Sequence, residues 1–387
     1  MRALRTALLP VLALIGCTAN GDVADGAAAE NQAGDASAQA QAQPFQVTPI
    51  AEFQEPWAMT FLPGGRQALI TEKEGRLKLW TVGGGAIDVS GTPSVAYGGQ
   101  GGFGDVIVHP DFASNNIVYL SWAEAGDGET RGAAVGRARL VVEGEAARLE
   151  DLQVIWRQQP KVTGQGHYAH RLLFSPDGSH LFVSSGDRQK FAPAQDMNAN
   201  LGKILRLNPD GSVPEDNPFA GQGGVAAQVW TLGHRNPLGI AFAPDGRFWE
   251  IEMGPEGGDE LNIVIRGRNY GYPIVSNGDH YDGRPIPDHD TRPDFEAPKV
   301  TWTPVISPGD MIIYTGELFP QWRGDALVAG LSSEALVHVD LQGDSAREAN
   351  RWPMGRRIRE VEQAPDGSIY LLEDGDGGRL LHLTPAR

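Results

Sequence analysis

One turn recurs along this chain, and its recurrence limits the fold more than any other feature. Phe61-Leu-Pro-Gly-Gly65, Val108-His-Pro-Asp-Phe112, Phe174-Ser-Pro-Asp-Gly178, Phe242-Ala-Pro-Asp-Gly246 and Gln363-Ala-Pro-Asp-Gly367 share one shape. Pro sets φ in each, and Gly takes the strained position in most. A strand-like run follows every copy: Gln67–Thr71, Ile117–Ser121, His180–Ser184, Phe248–Glu252 and Ser368–Leu372. The prolines fall at 63, 110, 176, 244 and 365, and a degenerate sixth copy, Leu318-Phe-Pro-Gln-Trp322 before Asp325–Ala329, fills the long last gap. Six hairpin-centred units take roughly 57 residues each, more than the ~40–45 of a minimal four-stranded blade. The expectation is an all-β chain, a six-bladed β-propeller with four-stranded antiparallel blades and long loops on one face. Ring closure protects sheet edges that a flat repeat would expose. The 50 glycines and 27 prolines beside 41% hydrophobic residues fit such a turn-rich fold.

The ends of the chain read differently. Met1-Arg-Ala-Leu-Arg5 is basic, and Ala7–Gly16 is apolar but too short to span a bilayer. Leu14-Ile-Gly-Cys17 resembles the lipobox of bacterial lipoproteins, which implies cleavage before Cys17 and lipid on its sulfur. Residues 18–44 hold almost nothing to bury and read as a tether. The expected organisation is a signal peptide over 1–16, a lipidated tether over 17–44 and one catalytic domain over 45–387. That places the protein outside the cytoplasm, in the periplasm, held to the outer membrane only by its lipid. With one cysteine, neither an intrachain disulfide nor a Cys-based zinc site can form. A net charge of −17 argues against a nucleic-acid partner.

Several stretches carry candidate chemistry. Gly99-Gln-Gly-Gly-Phe-Gly104 matches G-x-G-x-x-G, but a strand rather than a helix follows, so no pyrophosphate site is expected. His167 precedes a strand, and Asp187 ends that strand's hairpin partner; a hairpin brings these outer ends together, so Asp187 can orient His167 as a general base. A lone histidine bonded to backbone is the competing reading. Arg235-Asn236 offers planar donors to an anion. Gly254-Pro255 and the acids after it offer carbonyl and carboxylate oxygens to a hard cation, or form a Gly-rich loop whose acids face water. Arg357 and Arg359 alternate onto one strand face, where two guanidiniums suit an anionic ligand or simply water.

Taken in order, Gly166-His167, Gly186-Asp-Arg188, Leu232-Gly-His-Arg-Asn-Pro237, Gly254-Pro-Glu-Gly-Gly-Asp-Glu-Leu-Asn262, Asn269-Tyr-Gly-Tyr-Pro273 and Arg357-Ile-Arg359 resemble the soluble glucose/sorbosone dehydrogenases. They are most similar to the bacterial aldose sugar dehydrogenases that use pyrroloquinoline quinone (PQQ). The resemblance runs from about Phe45 to the C-terminus. It implies oxidation of an aldose at C1 to the lactone by hydride transfer to calcium-bound PQQ, with electrons passing to a respiratory acceptor or an artificial dye. On that resemblance His167 is the base, Asp187 its orienting carboxylate, and Arg235 the group at the quinone oxygen. Asn236, Arg357, Arg359 and Asp259 bind the cofactor, and Gln100 lies near the sugar. Gly254 and Pro255 ligate its calcium, and Glu260 and Tyr270 hold a second one. Two positions depart from the family pattern: Ser332 stands for a cofactor-binding lysine, and Met253 for a polar residue. A non-catalytic calcium- or glycan-binding propeller and a calcium-dependent lactonase stay open as alternatives.

Overall fold

The computed structural model describes residues 43–386. The expected signal peptide, Cys17 and the expected tether through residue 42 lie outside the described residues.

The fold is a β-propeller of antiparallel sheets. One sheet joins Ala169–Phe174, Leu181–Ser185, Lys203–Leu207 and Val229–Leu232, and the next joins Pro237–Phe242, Phe248–Glu252, Asp259–Ile263 and Val300–Trp302. Pro308–Ile313, Ala326–Gly330, Ala335–Gln342 and Ser345–Pro353 make a third. A nine-stranded sheet contains two more antiparallel quartets, which begin at Pro56–Phe61 and Phe103–Val108. These quartets meet where Val89 and Ser90 pair in parallel with Ala147 and Arg148. The N-terminal strand Phe45–Phe53 pairs with Gly378–Pro385, outside Ile369–Glu373 and Ile358–Gln363, so the two ends of the domain share one sheet. Among the described residues the one α-helix is Phe112–Asn115, and no helix is long and apolar enough to cross a membrane.

Burial explains the sequence pattern. Second strands such as Leu181–Ser185 and Ile369–Glu373 are buried along their whole length, while the outer Ser345–Pro353 is mostly exposed or half-buried. Aromatic residues fill the space between neighbouring sheets, as where Phe182 packs on Phe242 and Phe248 of the next sheet, with Trp230 of its own sheet alongside. The innermost strand of each quartet is the first in the chain, except for Ile358–Gln363, whose sheet also holds Phe45–Phe53. Five of the six run directly into the repeated turn, and Pro308–Ile313 reaches its copy after residues 314–317.

All six innermost strands also slip register just after their start: at Pro56/Ala58, Phe103/Val106, Ala169/Leu172, Pro237/Gly239, Pro308/Asp310 and Ile358/Glu360. A bulge leaves a residue unpaired and re-aims its side chain. Repeated round the ring, it sets a layer of residues and free carbonyls on the axis. Arg171 fills that layer. Its Nε donates to Leu238 O at 2.8 Å and its Nη2 to Gly309 O at 2.7 Å. The guanidinium lies 4.1 Å from the Trp57 ring centroid and pairs with Glu360 at 2.7 Å, Asp310 at 3.5 Å and Asp105 at 3.6 Å. One side chain thus touches all five other innermost strands.

Candidate active site

His167 and Asp187 meet as the hairpin geometry requires. Ala169 pairs with Ser185, so the residues just outside that pair are neighbours, and His167 Nδ1 lies 2.7 Å from Asp187 Oδ1. Asp187 is itself held by Gln189 N at 2.9 Å and Phe191 N at 3.1 Å. An acceptor at Nδ1 puts the proton there and leaves Nε2 as the basic nitrogen. Burial is the main cause holding His167 below the ordinary imidazole range; Asp187 opposes it, and Arg235 and Arg188 act with it. The His167 N–H donates to Gln100 Oε1 at 2.7 Å, which fixes both residues at one edge of the site.

Two supports were not apparent from sequence. Arg188 donates to the carbonyls of Gly166, Arg131 and Gly164 at 2.8, 2.6 and 2.6 Å and stacks on Tyr168, pinning the loop that carries His167. Gly186 leaves no room for a side chain: a Cβ there would lie 2.1 Å from His167 O and 3.0 Å from Asn236 Oδ1. Gly186→Ala is therefore expected to lower stability by about 1–3 kcal/mol and to push His167 off Asp187. Thermal melts and the chemical shifts of the His167 ring check this; an unchanged ring environment would show that the loop relaxes freely.

The Arg235-Asn236 pair is mounted on Glu252, whose Oε2 accepts from the Arg235 N–H at 2.5 Å and the Asn236 N–H at 3.1 Å. Arg235 Nη1 donates to Met253 O at 3.0 Å and Gly254 O at 2.5 Å, and its guanidinium lies between the rings of Tyr272 and Tyr281. Arg235 Nε and Asn236 Oδ1 are buried without hydrogen-bond partners. His234, read as structural, bonds Glu252 at 3.2 Å and Thr231 at 2.9 Å, stacks on Tyr270, and lies 3.5 Å from Glu250. Burial disfavours its charge, but Glu250 and Glu252 outweigh that and lift His234 to about 9. Its imidazolium thus sits where these three side chains could otherwise converge on a metal.

Both oxygens of Asp259 are occupied by backbone, Gly254 N at 2.9 Å and Ser307 N at 2.6 Å. That geometry places Asp259 as a brace for the Gly254 turn. Burial pushes its carboxyl up to about 7. Glu260 lies 3.4 Å from His289, and burial raises its carboxyl too. The Tyr270 hydroxyl accepts from Ile265 N at 2.8 Å and donates to Ile263 O, which leaves its main-chain carbonyl as the group it can offer a cation. Glu252, Gly254, Pro255, Glu260 and Tyr270 line a void of about 10 Å³, near the size that holds one water.

Two larger cavities flank this core. One, of about 210 Å³, is lined by Gln100, Asn236, Met253, Lys73, Arg357 and Arg359 among others. Arg357 Nε and Arg359 Nε share Asp374, at 2.8 and 3.0 Å. The other, of about 230 Å³, brings His167 and Arg235 together with Phe191, Tyr272, His280 and Tyr281. Ser332 bonds Val305 O at 3.2 Å. Lys203, buried and bonded to the carbonyls of Pro193, Ala194 and Leu201, is no substitute for the missing lysine. Lys73, which sequence reasoning passed over, lines the first cavity.

The family described as Glucose / Sorbosone dehydrogenase matches residues 53–382. The chain belongs to that family. It is 37% identical over 336 residues to the aldose sugar dehydrogenase YliI of Escherichia coli K12, covering 85% of this chain and 90% of that protein. Among solved structures, a glucose dehydrogenase superposes with a TM-score of 0.84 at 41% identity, covering 88% of this chain and 100% of the other. The PQQ-bound aldose sugar dehydrogenase of Streptomyces coelicolor gives a TM-score of 0.72 at 26% identity, covering 88% and 98%. Membership of the glucose/sorbosone dehydrogenases makes this chain an oxidoreductase.

Proposed function

We propose that this chain is a six-bladed quinoprotein dehydrogenase that oxidises aldose sugars at C1 to the lactone, with calcium-bound PQQ as its acceptor. The observation carrying the reading is the His167–Asp187 pair together with two unpartnered buried groups, Arg235 Nε and Asn236 Oδ1: His167 and Arg235 line one cavity, and Asn236 lines a second with Lys73, Arg357 and Arg359. Export, and anchoring to the outer membrane through lipid on Cys17, complete the proposal.

The residues present fit such a cofactor. Arg357, Arg359 and Lys73 outnumber Asp374 and Glu55 in the first cavity, as a polycarboxylate requires. When bound, PQQ supplies the hydride acceptor and calcium the Lewis acid. Asn236, Arg357 and Arg359 would hold the quinone, and the carbonyls of Gly254 and Pro255 the ion. The second ion belongs at the small void beside Glu260 and Tyr270.

This chain's own part is the proton. Oxidation at C1 removes a hydride from carbon and a proton from its hydroxyl. His167 Nε2, kept basic by Asp187 at Nδ1, takes that proton. Gln100, tied to the His167 backbone, orients the sugar. Arg235 places positive charge where negative charge develops, and the rings of Tyr272 and Tyr281 hold its guanidinium in place.

The test is reconstitution with PQQ and calcium, then dye reduction by a panel of aldoses. Only neutral imidazole can accept a proton, and His167 sits below its ordinary value. The acid limb of kcat/KM is therefore expected below the free-imidazole value of about 6.5. No turnover and no retained cofactor absorbance after gel filtration would overturn the dehydrogenase and favour a binding propeller. Turnover with a limb above that value would remove His167 as the base.

A further inference from the structure

The ring of innermost strands also opens on its other face. On the face opposite the site, a funnel of about 570 Å³ opens among the ends of the innermost strands. It shares no lining residue with the cavities beside His167 and Asn236, and the Arg171 layer forms its floor. The volume falls within the roughly 300–1,000 Å³ of ligand sites, which pair apolar walls with a few convergent polar groups.

Its walls are apolar, including Ile107, Phe174, Ile240, Phe242, Met311 and Ile313. Its floor is acidic. Asp105, Asp310, Glu360 and Glu362 face a single cation, Arg171. The strands Pro56–Phe61 and Pro237–Phe242 bring no charged side chain to this lining. Arg171 pairs with the first three acids, and among the described residues no cation lies in ion-pair reach of Glu362. Glu360 is 3% exposed, and its Oε2, although 2.7 Å from Arg171 Nη1, accepts no hydrogen bond. Four carboxylates against one guanidinium leave three negative charges in excess when all are ionised. Burial opposes that ionisation and raises all four carboxyls, Asp310 to about 6 and Glu362 to about 8.

We propose that this funnel binds an organic cation with an aliphatic body, a primary alkylammonium whose head meets Glu360 and Glu362 and whose chain lies on the apolar walls. A neutral ligand of the same shape gives these acids no charge to pair with as they ionise, and a bare metal ion makes no use of the walls. Where burial keeps a proton on these acids, an ammonium head displaces it. Affinity therefore rises with pH until the ammonium itself titrates near 10. This site is independent of the proposed sugar oxidation.

Calorimetry of the purified full chain with hexylammonium, hexanol and calcium chloride tests it. Hexylammonium is expected to bind one to one, at least tenfold tighter at pH 9 than at pH 6. Glu362→Gln should weaken it at least tenfold and flatten the pH dependence, with dye-linked sugar oxidation unchanged. Thr315→Trp, at the exposed rim, should block the mouth without touching the floor. No binding, hexanol binding as tightly as hexylammonium, displacement by calcium, or a Glu362→Gln protein with unaltered affinity would each overturn the proposal.

Discussion

His167→Asn is expected to lower kcat by about 10³–10⁴-fold while reconstituted PQQ stays bound. Asparagine keeps a polar side chain at this turn but offers no nitrogen that can take a proton near neutrality. Nothing in the first cavity depends on the imidazole: Asn236, Lys73, Arg357 and Arg359 hold their places through other partners. Cofactor absorbance should therefore survive, and the loss should fall on kcat rather than on KM. Asp187→Asn is expected to cost about 10²-fold or more, because an amide that turns its NH₂ toward Nδ1 moves the ring proton to Nε2. The two losses should not add, since both act through one nitrogen. Retention of a tenth or more of the wild-type rate by His167→Asn would reassign the base.

That pair was legible in advance because it is local. The hairpin Ala169–Phe174 and Leu181–Ser185 is announced by Ser175-Pro-Asp-Gly178, and pairing alone brings its outer ends together. The strand runs were legible for the same reason; Phe248–Glu252 stands as read, and the sixth copy leads through a short 3-10 turn into Ala326–Gly330. What escaped was non-local. The parallel contact of Val89 and Ser90 with Ala147 and Arg148 joins segments far apart in the chain, with no residue pattern to mark it. The backbone donors Gly254 N and Ser307 N on Asp259 carry no sequence signature. The recurring bulge has none either. Nothing in the sequence therefore marks Arg171, although its partners come from every other innermost strand.

Arg171→Met is expected to destabilise the fold by about 3–5 kcal/mol, a fall in Tm on the order of 10 °C. The methionine fills much of the space but strands Asp105, Asp310 and Glu360 without a cation and leaves the Leu238 and Gly309 carbonyls without a donor. Trp57 loses its partner on one face and keeps the stacked ring of His170 on the other. The effect must depend on pH with a definite sign. Burial raises the folded-state values of Asp310 to about 6, of Glu362 to about 8, and of Glu360 well above the carboxylate range. Raised carboxyl values mean that the folded state holds protons the unfolded chain has released. Their stabilisation is complete below the unfolded values near 4 and is lost as pH climbs through about 6 to 8. Without the guanidinium these values rise further, so the Tm gap between wild type and variant should widen from pH 5 to pH 8. Adding Glu360→Gln and Asp310→Asn should close much of it, since neutral amides need no counter-charge. A gap that is equal at both pH values, or a loss of only about 2 °C, would mean that the ring is held by its inter-sheet apolar packing and that the axial charge is incidental.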